Sequence, residues 1–176
     1  MARTYKTEGI VIKRLNFGEA DKLLTIYSKH YGKIKCVAKG IRKLTSRKGG
    51  NLELFNQVAI FLAKGKNLDI ITEVQIIDSY STFRKNLKKV AIAYQLCELI
   101  DRITREEHAN EKLFELLKNT MKNLTITNVD LNNLLLNFKT NMLNYTGFGV
   151  PETISHQSLD KHIEKIIEKK VKFFYD

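Results

Sequence analysis

The stretch IITEVQIIDSYSTFRKNLKKVAIAYQLCELI, residues 70–100, changes its hydrophobic period halfway along its length. Up to Tyr80 the residues are β-rich and alternate as in short strands, whereas from Ser81 the apolar residues recur every three or four positions, as on an α-helix. Ser81 has the hydroxyl side chain that often caps a helix N-terminus. The sequence therefore predicts an α+β protein, with a β domain over residues 1–80 and an all-helical domain over residues 81–176.

Upstream of this change, the chain contains five β-rich segments separated by turn signals. Five strands in about eighty residues fit a small closed barrel, because closure removes the exposed strand edges. In the first segment, simple alternation places Ile10, Ile12 and Arg14 on one face and Lys13 on the other. The predicted strands are residues 8–15, 23–29, 33–39, 52–64, with a bulge near Asn56, and 70–80.

Downstream of the change, the apolar spacing predicts four helices. The first begins at Ser81 and is expected to bury one stripe, which leaves Ile92, Leu96 and Leu99 as extra apolar positions. The second covers residues 111–124. The third follows a cap at Asn128 and stops at Gly147, and the fourth opens at Ser158. The stripe predicted for the first helix comprises Phe83, Leu87, Val90, Tyr94, Cys97 and Ile100 or Asp101.

Positive charge is concentrated in the first half of the chain. The formal net charge is +11; residues 1–80 carry fifteen Lys or Arg against seven acids, and residues 81–176 carry fifteen against twelve. We therefore expect a polyanion to bind the first half, with nucleic acid as the leading candidate and an anionic membrane surface as the second. No 18-residue apolar run and no signal-peptide core is present. Cys36 and Cys97 are expected to be buried free thiols in a reducing cytoplasm.

A basic stretch gives the clearest functional signal. From Lys22 to Leu52 the chain has nine Lys or Arg residues and no Asp or Glu, although the alternative of a merely solvated face and loop stays open. Cations, a Gly-rich turn and hydroxyls are what phosphate binding needs. Four nearby aromatic residues could stack bases or pack in the core: Phe17, Tyr27, Tyr31 and Phe55. The predicted DNA-binding residues, which could line one groove of the small barrel, are Lys13, Arg14, Lys33, Lys35, Lys39, Arg42, Lys43, Arg47 and Lys48.

No catalytic or metal site is predicted. The four histidines are scattered, no CxxC pair occurs, and no phosphate-loop, dinucleotide or nucleophile-elbow motif is present. We therefore expect no cofactor, no metal and no enzymatic reaction. A phosphoesterase is the weakest alternative, because Glu19, Asp21 and Asp69 are the only acids available to hold a divalent metal near the basic groove.

Several segments together resemble the RecO family of bacterial recombination mediators. The resemblance is carried by EGIVIKRLNFGEADKLLTIYSKHYGKIKCVAKGIRK, SRKGGNLELF and ITEVQIIDSYSTFRKNLKKVAIAYQLCELIDR, in the family's order and spacing. LNYTGFGVPE is similar to a short family element after the third helix. Many members carry a four-cysteine zinc module at that point, whereas this chain passes from Pro151 through TISHQ into a helix that looks like the family's last one. We therefore expect a zinc-less short form and not a truncation.

The resemblance implies an N-terminal OB-fold barrel and a non-catalytic, cytoplasmic, nucleoid-associated DNA-binding protein. It implies binding to single- and double-stranded DNA, annealing of complementary strands, and help in loading recombinase onto DNA coated with single-strand-binding protein. The implied partners are a RecR-like ring protein and the acidic tail of the single-strand-binding protein. A basic barrel that binds RNA or the ribosome is the alternative. The cations expected to receive the acidic tail are Arg84, Lys88 and Arg102, with Lys85 and Lys89 beside them.

Overall fold

Five strands form a closed barrel in the N-terminal half of the chain. The computed structural model describes residues 3–43, 46 and 48–168. The strand order around the barrel is β1-β2-β3-β5-β4, with a short parallel pairing of β3 with β5 and antiparallel pairing elsewhere. The predicted OB-fold barrel is thereby confirmed. The strands are β1 Thr4–Phe17, β2 Asp21–Ser28, β3 Gly32–Ala38, β4 Gln57–Ala63 and β5 Asp69–Asp78.

The barrel encloses a core built from one face of every strand. Alternate residues of a strand point to the same face, so β2, β3 and β4 contribute apolar side chains at every second position, whereas β1 and β5 contribute one buried residue each. Ile41 and Leu52, from the segment between β3 and β4, are buried in the same cluster. The strand residues of this core are Val11, Leu24, Ile26, Ile34, Cys36, Ala38, Val58, Ile60, Leu62 and Ile71.

A β-bulge at Ile12 changes the predicted faces of β1. Val11 pairs with Ile26 and Lys13 pairs with Thr25, so Ile12 is the extra residue. Because side chains alternate with a period of two, this insertion moves every later residue of β1 to the opposite face. Val11, before the bulge, is in the core, and Lys13, after it, points outward. The prediction that Ile10, Ile12 and Arg14 share one face of β1 is wrong for this reason.

The strand predicted over residues 52–64 begins only at Gln57. Phe55 has a left-handed backbone with φ 75°, which ends any extended run before it. The side-chain amide of Asn56 donates to the carbonyl oxygens of Gly50 and Asn51 at 3.2 and 3.0 Å. Residues 52–56 are therefore a turn that packs against the barrel. The bulge expected near Asn56 corresponds to a shift in the β4–β5 register between Gln57 and Val58.

Between residues 81 and 168, the described part of the helical half contains a short 3-10 helix and four α-helices. The predicted cap Ser81 starts only the 3-10 turn, because Asn86 is extended and its side chain caps α1 by accepting from the Lys89 N–H. Asp130 caps α3 in place of Asn128, and Ser155 caps α4 with Ser158 at the third helical position. The elements are the 3-10 helix Ser81–Lys85, α1 Leu87–Ile103, α2 Glu111–Leu124, α3 Leu131–Tyr145 and α4 His156–Ile167.

Within α1, the predicted stripe is buried only at Cys97 and Ile100. Ile92, Leu96 and Leu99, which the spacing left as spare apolar positions, are at most 3% exposed. Leu87 and Tyr94, which the predicted stripe contained, are 86% and 53% exposed. The break at Asn86 explains the difference, because Phe83 lies in a separate element and cannot set the helical phase of α1.

The chain forms two compact units. The barrel unit comprises Met1–Ser79 together with Arg105–Glu111, and the helical unit comprises Tyr80–Thr104 together with Lys112–Asp176. We call the segment Arg105–Glu111 the strap. It follows α1 in sequence, yet it belongs to the barrel unit.

Candidate nucleic-acid interface

The outer face of β1, β2 and β3 carries cations beside exposed apolar side chains. Lys13 pairs with Thr25, and Thr25 pairs with Lys35, so these three residues form one row across the three strands. On the same face of β1 follow Leu15 and Phe17, which are 50% and 45% exposed. An exposed aromatic ring on a basic barrel face is the arrangement that stacks bases of single-stranded nucleic acid.

The loop after β3 packs against the turn between β1 and β2. The Gly40 N–H donates to the Asp21 carboxylate at 2.7 Å, and the Arg42 N–H donates to the Ala20 carbonyl at 3.0 Å. The Arg42 guanidinium donates to the Gly18 carbonyl at 3.3 Å. These bonds bring the basic loop to the end of β1. We call the resulting surface the basic corner, and it comprises Lys13, Lys39, Arg42 and Lys43 with the apolar residues Leu15 and Phe17.

The basic corner keeps its positive charge available. Lys39, Arg42 and Lys43 are exposed, and no carboxylate of the described part of the chain lies within ion-pair distance of any of them. The Asp21 carboxylate accepts from the Gly40 N–H and forms no ion pair with these three cations. Like charges held together without compensation repel one another, so this surface is suited to an anionic ligand.

The remaining predicted cations are placed elsewhere or engaged. Arg14, turned inward by the bulge, forms an ion pair with Glu53 at 2.7 Å. Lys33 is only 8% exposed, and Lys35 is paired with Glu106 of the strap. The ammonium of Lys48 donates to the Ile71 carbonyl at 3.1 Å. Arg47 lies outside the described residues. The nine predicted cations therefore do not line one groove.

Two of the four candidate stacking residues are accessible. Phe17 is 45% exposed and Tyr31 is 42% exposed, whereas Tyr27 and Phe55 are buried. The Tyr31 ring packs against Tyr5, with 4.6 Å between the ring centroids. Sequence alternation alone cannot place Phe17 or Phe55, because the exposure of Phe17 depends on the bulge in β1 and that of Phe55 on the turn before β4.

A cavity of about 390 Å³ opens beside the start of β3. The Tyr5 hydroxyl donates to Asp69, and Lys64 forms an ion pair with the same carboxylate at 3.2 Å. Burial and this hydrogen bond raise the pKa of Tyr5, so the phenol remains protonated and donating. Asp69 and Asp21 are thus both occupied by structural contacts, which argues against the phosphoesterase alternative. The cavity is lined by Arg3, Tyr5, His30, Tyr31, Lys33, Ile34, Lys35, Lys64, Asn67, Leu68, Asp69, Glu106 and Glu107.

In the helical unit, the predicted partner-binding cations are differently exposed. Arg84 is half-buried and Lys88 is exposed. Arg102 forms an ion pair with Glu98 one turn earlier on α1, at 2.8 Å. Lys89 is only 7% exposed and donates to the Ile126 carbonyl, so it is not available to an acidic partner.

Cys36 and Cys97 are both buried and free, as the sequence predicts. Burial raises the pKa of both thiols, which keeps them protonated and unreactive. Within residues 3–43, 46 and 48–168, no three His, Cys, Asp or Glu side chains converge in a metal-binding arrangement. Over the same described residues, no helix is long and apolar enough to cross a membrane.

Comparisons with known proteins identify two consecutive family regions. Residues 1–80 match the family model described as "Recombination protein O N terminal", and residues 84–153 match "Recombination protein O C terminal". The boundary between the two matches lies at the change of hydrophobic period.

Several curated relatives carry the name "DNA repair protein RecO". The protein of Roseiflexus sp. (strain RS-1) is 41% identical over 122 residues, which cover 69% of this chain and 43% of the relative. That of Trichodesmium erythraeum (strain IMS101) is 40% identical over 124 residues, covering 70% and 43%. That of Alkaliphilus metalliredigens (strain QYMF) is 30% identical over 142 residues, covering 81% and 58%. The chain spans about half the length of the curated relatives it matches.

Proposed function

The chain belongs to the RecO family, and from that premise we propose that it acts in DNA repair by recombination, as a protein that binds DNA through its N-terminal barrel. The basic corner is the observation that carries this proposal. It combines three exposed cations, which have no carboxylate partner among the described residues, with an exposed phenyl ring on the outer face of an OB-fold barrel. Phosphates would bind the cations, and a base would stack on Phe17.

The contacts available at the basic corner are suited to any base sequence. Lys and Arg side chains recognise phosphates, which are the same at every step of the chain, and an aromatic ring stacks on every base. We therefore propose that the protein binds single-stranded DNA without strong sequence preference and binds double-stranded DNA through the phosphate backbone. A surface of this kind also favours annealing, because it neutralises the repulsion between two complementary strands.

We further propose a mediator role without catalysis. The family resemblance supports assistance in loading a recombinase onto DNA coated with single-strand-binding protein, with a RecR-like protein as a partner. Such a role requires surfaces that bind DNA and protein partners, and it requires no catalysed reaction. On the helical unit, Lys88 and the neighbouring exposed Leu87 and Tyr94 offer a positive and apolar surface of the kind that fits an acidic tail ending in an apolar residue.

A comparison of DNA with RNA tests the proposed function against its main alternative. A fluorescent single-stranded DNA and an RNA of the same sequence should be titrated with the protein at low salt, and annealing of complementary DNA strands should be followed in parallel. We expect saturable DNA binding and accelerated annealing. Tight RNA binding with no annealing of DNA would favour an RNA-binding barrel instead.

The tail-binding proposal needs its own test. A fluorescent acidic peptide with an apolar C-terminus should bind the protein saturably at low salt, and Lys88→Glu together with Arg84→Glu should weaken that binding. The matched control is Lys122→Glu with Lys161→Glu, which removes the same charge from exposed positions of the helical unit. Equal effects of the two pairs would indicate unspecific attraction by net charge.

A further inference from the structure

The strap brings three carboxylates onto the cations of the barrel. The basic stretch of the sequence has no acid of its own, and the acids that compensate part of it come from this one seven-residue segment. All three strap acids take part. The ion pairs are Glu106 with Lys35, Glu107 with Lys64 at 3.9 Å and Glu111 with Lys29 at 3.2 Å.

The strap is also held by its backbone along β3. The Glu107 N–H donates to the Lys33 carbonyl at 3.1 Å, and Lys33 and Glu106 form a parallel β-bridge. Gly32 permits this approach. It has a φ of 65°, and a side chain at its position would meet the His108 carbonyl oxygen at 2.1 Å. The strap therefore lies in a specific register and is not a loosely placed loop.

The covered cations continue the basic corner. Lys35 lies in the same row of the outer face as Lys13, two strands away, which corresponds to about 10 Å. Beyond it, Tyr31 stands at the cavity that Lys64 and the strap also line. The surface under the strap thus offers what the basic corner offers, namely phosphate-binding cations and an exposed aromatic ring.

We propose that the strap is an internal competitor of nucleic acid. Its carboxylates occupy the positions that phosphates take on binding, and nucleic acid displaces the strap to gain Lys29, Lys35 and Lys64 as further contacts. The occupant of this second surface is the continuation of the strand bound at the basic corner. The inference rests on the proposed function and adds to it a second binding segment and its regulation.

The strength of the contacts fits a displaceable segment. The carboxylates of Glu106, Glu107 and Glu111 are 50%, 82% and 60% exposed in their ion pairs. Exposed ion pairs contribute little to stability and are weakened further by salt. Nucleic acid carries condensed counterions, and it releases them as the cations of the barrel neutralise its phosphates. Three separate carboxylates release fewer counterions when they pair with the same cations.

Neutralising the strap tests the competition. Glu106→Gln with Glu111→Gln should tighten binding of a single-stranded oligonucleotide by roughly fivefold or more at low salt, because two exposed ion pairs no longer have to break. Glu73→Gln with Glu152→Gln is the matched control. It removes the same charge from exposed positions outside both the strap and the basic corner, and we expect a change below about twofold. Equal changes in the two variants would overturn the proposal.

Hydrogen exchange provides a second, independent test. The Glu107 amide should exchange slowly in the protein alone, because it donates to Lys33, and faster when the protein is saturated with the oligonucleotide. Unchanged or slower exchange at Glu107 in the complex would show that the strap stays in place, and would overturn the proposal while leaving DNA binding intact. If neither the wild-type chain nor the strap variant binds the oligonucleotide, the proposed function fails and the strap proposal fails with it.

Discussion

Lys139 and Asp160 form an ion pair inside the helical unit. The Lys139 ammonium lies 2.6 Å from Asp160 Oδ1, and its side chain has no exposed surface. The other carboxylate oxygen, Oδ2, has no hydrogen-bond partner among the described residues. Burial lowers the pKa of Lys139 and raises that of Asp160, so desolvation opposes the charge on each partner. The pair persists because each charge is the main compensation for the other.

Removing one partner of the ion pair should therefore destabilise the protein more than removing both. Lys139→Met leaves Asp160 buried without its cation, and we expect the free energy of unfolding to fall by about 3 kcal/mol. Combining Lys139→Met with Asp160→Leu should recover most of that loss, because two apolar side chains need no compensation. Urea unfolding of the three chains measures both steps. Equal stabilities of the single and double variants would contradict this account.

His156, which follows the α4 cap, should make stability depend on pH. Burial first, and Lys139 second, lower its pKa below the usual 6.5, against an opposing effect of Asp160. The unfolded chain therefore takes up this proton before the folded chain does, and stability present above about pH 6.5 is lost as the pH falls below it.

The His156→Gln variant isolates this contribution. Asp160, whose raised pKa acts with the opposite sign, and Glu164 beside it are unchanged in the variant. Unfolding free energies measured at pH 7.5 and 5.5 should fall more in the wild-type chain than in His156→Gln. Identical pH dependence in the two would contradict the lowered pKa.

At the scale of single elements, the effect of replacing glycine by alanine can be compared at Gly32 and Gly18. Both have positive φ, 65° and 58°, so alanine strains the backbone at either site by about 1 kcal/mol. Only at Gly32 does the added methyl group also meet the backbone of the strap, whereas nothing lies within 4 Å at Gly18. Gly32→Ala should therefore destabilise the protein clearly more than Gly18→Ala in urea unfolding. Equal losses would mean that the strap does not pack as described.

Elements were predictable from the sequence where the hydrophobic period is long and uninterrupted. The five-stranded barrel, α2 over residues 111–124 and the end of α3 before Gly147 follow from spacing and cap residues alone. The buried faces of β1 and α1 were predicted wrongly for local reasons that the spacing of apolar residues does not reveal. One extra residue at Ile12 inverts β1, and one extended residue at Asn86 resets the phase of α1.

The positive charge of the candidate site could be predicted from the sequence, but its geometry could not. The acid-free run from Lys22 to Leu52 correctly locates the basic loop. It cannot reveal that Glu106 and Glu111, more than fifty residues later, return to pair with Lys35 and Lys29, because that contact depends on the tertiary path of the strap. An excess of acids in the short segment between two predicted helices was the only available sign.

For the molecule as a whole, folding is expected to need no metal. The described residues contain no convergent set of three ligands, and both cysteines are buried and free. A chelator should therefore leave the thermal midpoint unchanged. A marked decrease that added zinc restores would show that a metal site exists.

The central claim is that the basic corner binds DNA phosphates, and the salt dependence of binding tests it most directly. The affinity for single-stranded DNA should be measured across a salt series for the wild-type chain and two triple variants. The basic-corner variant combines Lys39→Glu, Arg42→Glu and Lys43→Glu. The control combines Lys122→Glu, Lys161→Glu and Lys165→Glu. Each phosphate contact adds about −0.7 to the log–log slope. The basic-corner variant should bind every sequence more weakly with a slope flatter by roughly two, while the control keeps the wild-type slope. Unchanged affinity and slope in the basic-corner variant would contradict the claim.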